Sequence, residues 1–211
     1  DLTTGGKKGN VAYGTLTTIT ESPFQFGLLY TGSDDGYVHV SKNGGGSWER
    51  ISNSFPKDLW VSRVIASEHK KERVYVAMTG LNYDEFGAYL YVSDDNGETW
   101  KSITNNLPNH PVNVIFEDPD FENIIYAGTY RGVYVSTNRG EDWSYFGTGL
   151  PDTSIADLII EKNSKDLIVA THGRGIYKVN LKPFYDQEMR KETSNYLFDV
   201  ENIISPKLRD T

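Results

Sequence analysis

No cysteine occurs among the 211 residues, which excludes disulfides, thiolate nucleophiles and cysteine-type zinc sites. Its absence assigns no compartment. Methionine is scarce, with 2 residues, and histidine numbers only 4. The sequence therefore calls for no metal centre and no cofactor. No apolar run approaches the roughly 18 residues of a membrane span. Long apolar runs of helical period are missing too. Positive charge is in deficit: the net charge is -8, which argues against a phosphate-backbone binder such as a nucleic-acid protein. The opening DLTTGGKKGN is neither a signal peptide nor a transit peptide, and a leader already removed would leave secretion open. What the chain has in quantity is 20 glycines and 14 tyrosines, a composition that favours short strands and tight turns. Its length suffices to bury a core without covalent staples.

An internal repeat organises the chain. The segments Ser41–Trp48, Ser93–Trp100 and Ser136–Trp143 all read S-x-[DN]-x-G-x-x-W. Their fixed positions are Ser41, Asn43, Gly45 and Trp48, then Ser93, Asp95, Gly97 and Trp100, then Ser136, Asn138, Gly140 and Trp143. Each copy is preceded by three alternating runs and followed by a Trp-led fourth, which we label A, B, C and D in chain order. A fourth unit has A, B and C runs at 154–160, 166–170 and 175–179 but no turn motif and no D run. Four antiparallel strands recurring every 40 to 50 residues is the period of a β-propeller blade. The expected fold is all-β: a propeller segment of about four blades, at about 11–53, 60–105, 111–147 and 154–181, followed by a C-terminal extension at 182–211. In that extension Met189, Tyr196 and Leu197 are placed to line a short helix, and Ile203–Pro206 reads as extended. Asp1–Thr3 reads as the end of a D strand. The array looks cut at both ends, so a longer parent polypeptide is expected.

The recurring turn has a local physical reading. The Asp or Asn accepts backbone N–H groups across the turn, and the Ser hydroxyl ties its other side. The glycine supplies positive φ, and the Trp is expected to fold back and bury its face between blades. Asp94-Asp95-Asn96-Gly97 shares the acidic spacing of a calcium loop, but the bidentate Glu is absent and Glu98 is too close to replace it. These residues resemble the Asp-box, or BNR repeat, of sialidase-like and sortilin-like propellers, over residues 11–181. Tyr13-Gly14-Thr15, Glu21-Ser22-Pro23, Trp60–Arg63, Pro111–Val114, Glu117-Asp118-Pro119 and Thr171–Tyr177 add a similarity to the C-terminal part of large bacterial BNR-repeat proteins. Those are grouped with sortilins or glycosyl hydrolases. The resemblance implies a secreted or periplasmic setting.

In such a fold the A–B and C–D loops share one face, and the B–C and D–A loops share the other. The repeated turns are C–D loops, so a ligand mouth is expected on the opposite rim. Its candidate ligand contacts are Tyr83 and Phe86 in a long B–C insertion (Gly80 to Gly87), with Tyr130, Arg131, His172 and Arg174 on the other B–C turns. The expected D–A contributions are Asn53 to Leu59, Asn105 to His110 and Gly147 to Thr153. Arg63, on an A strand near the channel, requires a carboxylate partner, with Asp157 and Glu117 as candidates.

A sialidase requires three convergent arginines and a Glu-activated Tyr, and the arginine motif that precedes the Asp-boxes of true sialidases is missing. A xyloglucanase-like hydrolase would use paired carboxylates, for which Asp34, Asp35, Asp84 and Glu85 are the weak candidates. Asp35 has an alternative role as a turn holder. No nucleophile elbow or phosphate loop occurs, and Gly44–Gly46 belongs to an Asp-box. The expectation is a non-catalytic binding or scaffolding propeller for a protein, peptide or glycan. The alternative is a glycoside hydrolase whose site is completed by further blades. Open blade faces also lead us to expect self-association.

Overall fold

A computed structural model describes residues 14–56, 59–147 and 149–189. They form three four-stranded sheets and one three-stranded sheet, each an antiparallel meander in chain order. The first blade is β1 (Leu16–Glu21), β2 (Leu29–Ser33), β3 (Val38–Ser41) and β4 (Glu49–Arg50). The second is β5 (Trp60–Ala66), β6 (Val74–Gly80), β7 (Glu85–Ser93) and β8 (Lys101–Ser102). The third is β9 (Val112–Glu117), β10 (Ile125–Thr129), β11 (Gly132–Ser136) and β12 (Ser144–Tyr145). The fourth has only β13 (Ile155–Glu161), β14 (Asp166–Thr171) and β15 (Ile176–Asn180), and helix α1 (Lys182–Met189) follows it. This is the expected propeller segment.

Central B strands are covered on both faces, which explains why β6 reads Val-Tyr-Val-Ala-Met with every one of those residues buried. Buried side chains cluster between successive blades, in the first-to-second, second-to-third and third-to-fourth junctions. A polar rung accompanies each junction. Every A strand skips one residue in its pairing with the B strand, at Thr17, Ser62, Asn113 and Ala156. The bulged side chain then reaches the next blade. Thr17 Oγ1 donates to the Val61 carbonyl at 2.5 Å, Ser62 Oγ to Val112 at 2.8 Å, and Asn113 Nδ2 to Ile155 at 2.8 Å. Ala156 carries no such donor.

The three Asp-box turns share one hydrogen-bond scheme. Ser41, Ser93 and Ser136 Oγ accept the N–H of Gly45, Gly97 and Gly140 at 2.8, 2.7 and 2.8 Å. Asn43, Asp95 and Asn138 Oδ1 accept the N–H four residues on, each at 2.9 Å. Gly97 and Gly140 have φ of 91° and 84°. A Cβ at either would also strike the preceding blade, at Ile51 or Ile103. Burial alone would raise the Asp95 carboxyl, but the Ser93 and Thr99 hydroxyls and the N–H groups of Thr99 and Glu98 hold it at about 2. A depressed folded-state pKa contributes stability that is complete above the unfolded value of 3.8 and is lost as pH falls through about 2. Asp95→Asn copies the Asn of the other two turns. It should flatten the loss of stability between those two pH values, as followed by urea denaturation at stepped pH. An unchanged acid profile would contradict the assignment.

The tryptophans depart from the expectation of uniform burial. Trp100 Nε1 donates to the Ile51 carbonyl and Trp143 Nε1 to the Ile103 carbonyl, both at 2.7 Å. Each thus docks on the preceding blade, and Trp143 is 5% exposed. Trp48 is 43% exposed, because no blade precedes it among the described residues. Leu16 and Ile19, 63% and 64% exposed, show the same open face, whereas their counterparts Val61, Val112, Ile155, Val64, Ile115 and Leu158 are buried. The D strands are also shorter than expected, two residues each, and begin after the Trp.

Helix α1 closes the third junction in place of a fourth Asp-box. Ile51, Ile103 and Phe146 are equivalent, each donating its N–H to a C-strand carbonyl (Val38, Leu90 and Val133). Phe184 packs edge-on against Phe146, with ring centroids 5.4 Å apart, where the Trp of a fourth motif would stand. Tyr185 packs at a tilt against Phe121, ring centroids 4.8 Å apart, and its hydroxyl donates to Asp118 Oδ2 at 2.6 Å. Met189 ends the helix and is exposed. Tyr196, Leu197, Ile203–Pro206 and Asp1–Thr3 lie outside the described residues. On the far side of the fourth blade, Ile176 is 75% exposed at the position where Val38, Leu90 and Val133 are buried. The fourth blade presents Ala156 instead of a donor, and no D-strand carbonyl for Trp48 among its described residues.

Candidate functional site

The meander puts the Asp-box turns and the A–B loops on one face, and the B–C turns on the other. Three B–C turns are built alike. A hydroxyl at the end of each B strand accompanies the turn: Ser33 Oγ donates to Tyr37 O, Thr129 Oγ1 to Gly132 O, and Thr171 Oγ1 to Gly175 O. The next residue donates its N–H to the loop that enters the same blade's A strand: Asp34 to Thr15 O, Tyr130 to Pro111 O, and His172 to Ser154 O. Asp34, Tyr130 and His172 are therefore equivalent positions. At Tyr130 and His172 the turn uses only the backbone.

Their side chains diverge. Asp34 is buried, and its Oδ1 accepts the N–H groups of Gly14 and Thr15 at 2.6 and 2.8 Å. Asp35 is buried as well, and it accepts the Ser33 hydroxyl and the Tyr37 N–H. Both carboxylates serve the first blade's turn. Tyr130 and His172 instead project from the rim. With Leu81, Arg131, Asp152, Thr153 and Ser154 they line a cavity of about 650 Å³. It spans the rims of the second, third and fourth blades.

The second B–C segment is not a free loop. β6 and β7 extend as a hairpin, Gly80 pairing with Glu85, closed by a 3-10 turn at Leu81–Tyr83. Asp84 takes the left-handed conformation there, with φ of 58°. Glu85 Oε1 accepts the Gly87 N–H at 2.9 Å and the Tyr89 hydroxyl at 3.2 Å. Burial, reinforced by this carboxylate, raises the Tyr89 phenol pKa. Tyr83 and Phe86 are exposed on this hairpin, beside Leu81. Asp84 and Glu85 do not line the cavity. Arg174 lies on the same turn as His172, and a Cβ at Gly173 or Gly175 would meet nothing within 4 Å, so the turn stands clear of the body.

Part of the expected D–A rim lies elsewhere. Asn105 Nδ2 donates to the Gly140 carbonyl at 2.6 Å, and Asn106 clamps both the N–H and the carbonyl of Trp143. Because the D strand is only two residues long, the chain leaves it near the Asp-box end of the neighbouring blade. Arg63 pairs with Asp157, Nη2 to Oδ1 at 2.7 Å, bridging the second and fourth A strands. Glu117, the other candidate, is buried and accepts from Ser67, the Glu68 N–H and Tyr75. Asp152 and Thr153 fell within an expected rim segment, but nothing in their local sequence singled them out. Leu81 was equally anonymous. The B-strand hydroxyl followed by a turn is the signal that marks Tyr130 and His172. No group of three or more His, Asp or Glu suited to a metal occurs among the described residues.

Solved structures share this architecture. The GH74 xyloglucanase of Xanthomonas campestris superposes with a TM-score of 0.62 at 15% identity, over 78% of this chain and 29% of its own. YCF48 bound to D1 peptide gives 0.60 at 12% identity, over 81% of this chain and 52% of its own. The extracellular domain of the hybrid two-component system BT3049 from B. thetaiotaomicron gives 0.60 at 18% identity, over 80% and 21%. The chain thus spans between about a fifth and a half of these proteins, and the likeness is one of fold. Comparison with curated protein sequences finds no match. The family model described as "Sortilin, neurotensin receptor 3" matches residues 36–171, more than half of the chain, and the chain belongs to the Sortilin-Vps10 family.

Proposed function

We propose that this chain is a non-catalytic binding segment of a propeller, holding a protein, peptide or glycan at the B–C rim. One observation carries the reading. Of three equivalent turn positions, Asp34 spends its side chain on its own turn, whereas Tyr130 and His172 pair through the backbone alone and face a common cavity. Side chains that the turn does not use are available to a ligand. The rival reading is a glycoside hydrolase completed by further blades. Hydrolysis of that kind requires two carboxyl groups roughly 5 to 10 Å apart across the scissile bond. Asp152 is the one carboxylate among the residues lining this cavity. The likeness to a xyloglucanase and to a peptide-bound propeller supports both ligand classes through fold alone.

The test pairs binding with turnover. Tyr130→Ala and His172→Ala should each weaken a ligand found by glycan and peptide array by at least about tenfold, with an unchanged melting temperature. The chain alone should hydrolyse no polysaccharide, and any hydrolysis by a longer polypeptide containing it should be unaffected by Asp84→Asn, Glu85→Gln and Asp152→Asn. Turnover that one of these changes abolishes would replace the binding reading with the hydrolase.

A further inference from the structure

We propose that the rim is selective for an anionic saccharide, one bearing a carboxylate or a sulfate ester; this rests on the rim being the binding site. Six arginines fall within the described residues. Arg63 pairs with Asp157, Arg73 with Asp94 and Glu122, Arg139 with Glu122, and Arg50 holds Asn53 while lying over Tyr37. The guanidinium groups of Arg131 and Arg174 make no hydrogen bond or ion pair among the described residues. Both sit on B–C turns of adjacent blades, at the same rim, in a chain whose net charge is -8. Every other described arginine has a local partner. A free, planar, five-donor group at a cavity mouth matches a carboxylate or sulfate. The His172 imidazole lines the same cavity and adds a second donor surface.

The remaining lining selects the class of molecule. Tyr130 is exposed beside Arg131, and Tyr83 and Phe86 are exposed on the hairpin that contributes Leu81. Such flat, half-exposed rings suit the apolar faces of sugar rings. Asp152, Thr153 and Ser154 offer acceptors and hydroxyls for sugar hydroxyl groups. A peptide backbone finds less here. The N–H groups of Tyr130, Arg131 and His172 are already paired within their blades, so these turns offer few main-chain donors to a peptide.

Isothermal titration of the intact chain with four probes tests this. They are tetragalacturonate, a sulfated oligosaccharide of the same length, neutral cellotetraose, and an Asp/Glu-rich peptide. Binding of at least one anionic saccharide is expected, at least tenfold tighter than cellotetraose. Arg131→Gln/Arg174→Gln should weaken it at least tenfold, and Tyr130→Ala should weaken it as well. The uronate and sulfate arms identify which anion is read. Loss of affinity between 50 and 500 mM salt should accompany the arginine contribution. Equal binding of cellotetraose overturns the proposal, as does anionic binding that ignores the arginine changes. So does the absence of anionic-saccharide binding at millimolar concentration. Peptide binding that depends on Arg131 would overturn the saccharide reading yet keep the rim as the site. Loss of the rim reading itself would show as ligand binding indifferent to Tyr130, Arg131 and His172 together.

Discussion

Trp143→Ala is expected to destabilise the protein by about 3–5 kcal/mol, while Trp48→Ala should cost less than about 1 kcal/mol. The two residues hold the same place in the same motif. Trp143 is 5% exposed and donates its indole N–H to the Ile103 carbonyl of the preceding blade at 2.7 Å. Removing it opens a large cavity in the second junction and orphans a buried carbonyl. Trp48 has the motif's turn but no blade to dock on among the described residues and is 43% exposed, so its truncation opens no enclosed cavity. Trp100, partly buried over Ile51, should fall between them. Urea denaturation of the three variants gives the ranking. Equal losses at Trp48 and Trp143 would mean that the motif stabilises its own hairpin and not the junction.

That contrast shows what sequence can and cannot reveal here. Turn chemistry is local, so Ser93, Asp95 and Gly97 were identifiable from their spacing. Their hydrogen bonds close within seven residues. Strand order was legible for the same reason: a meander pairs each run with its chain neighbour. Burial of a Trp depends on another blade, and no local pattern reports whether that blade is present. The polar rung was hidden because Thr17, Ser62 and Asn113 share a donor and a position, not a residue type. The equivalence of Asp34, Tyr130 and His172 shows only in part in the sequence, as a hydroxyl residue before each, because the positions themselves are matched by a backbone hydrogen bond and not by residue type. The candidate acids were Asp34, Asp35, Asp84 and Glu85, with a turn-holding role as the alternative for Asp35. Asp34 and Asp35 hydrogen-bond within their turn, Asp84 and Glu85 do not line the cavity, and Asp152, which does, was not among them. The Arg63–Asp157 pair was foreseen because a charge on an inner strand requires a partner, and few were in reach.

Glu117→Ala should destabilise the protein by about 3–5 kcal/mol, and Glu117→Gln by about 1–2 kcal/mol. The Glu117 carboxylate is buried at the junction of the second and third blades. It accepts the Ser67 hydroxyl at 2.7 Å, the Glu68 N–H at 2.8 Å and the Tyr75 hydroxyl at 2.8 Å. Arg73 Nη1 stands 4.0 Å away and is itself buried. Alanine leaves three donors without an acceptor and withdraws a negative charge from beside a buried cation. Glutamine keeps one acceptor oxygen and the packing. Tyr75→Phe, which removes one donor and leaves the carboxylate, should cost about 1 kcal/mol. Burial first, and then the neighbouring Glu117 charge, raises the Tyr75 phenol pKa, so this tyrosine stays a donor across the ordinary pH range. Glu117 lies at the A–B end of its strand, on the face away from the rim cavity. Ligand binding by Glu117→Ala should therefore match the parent's at temperatures well below its lowered melting point. Weaker binding by the fully folded variant would show that the junction sets the spacing of Leu81, Tyr130 and His172, because a looser second junction moves the second blade's hairpin away from the other two rims.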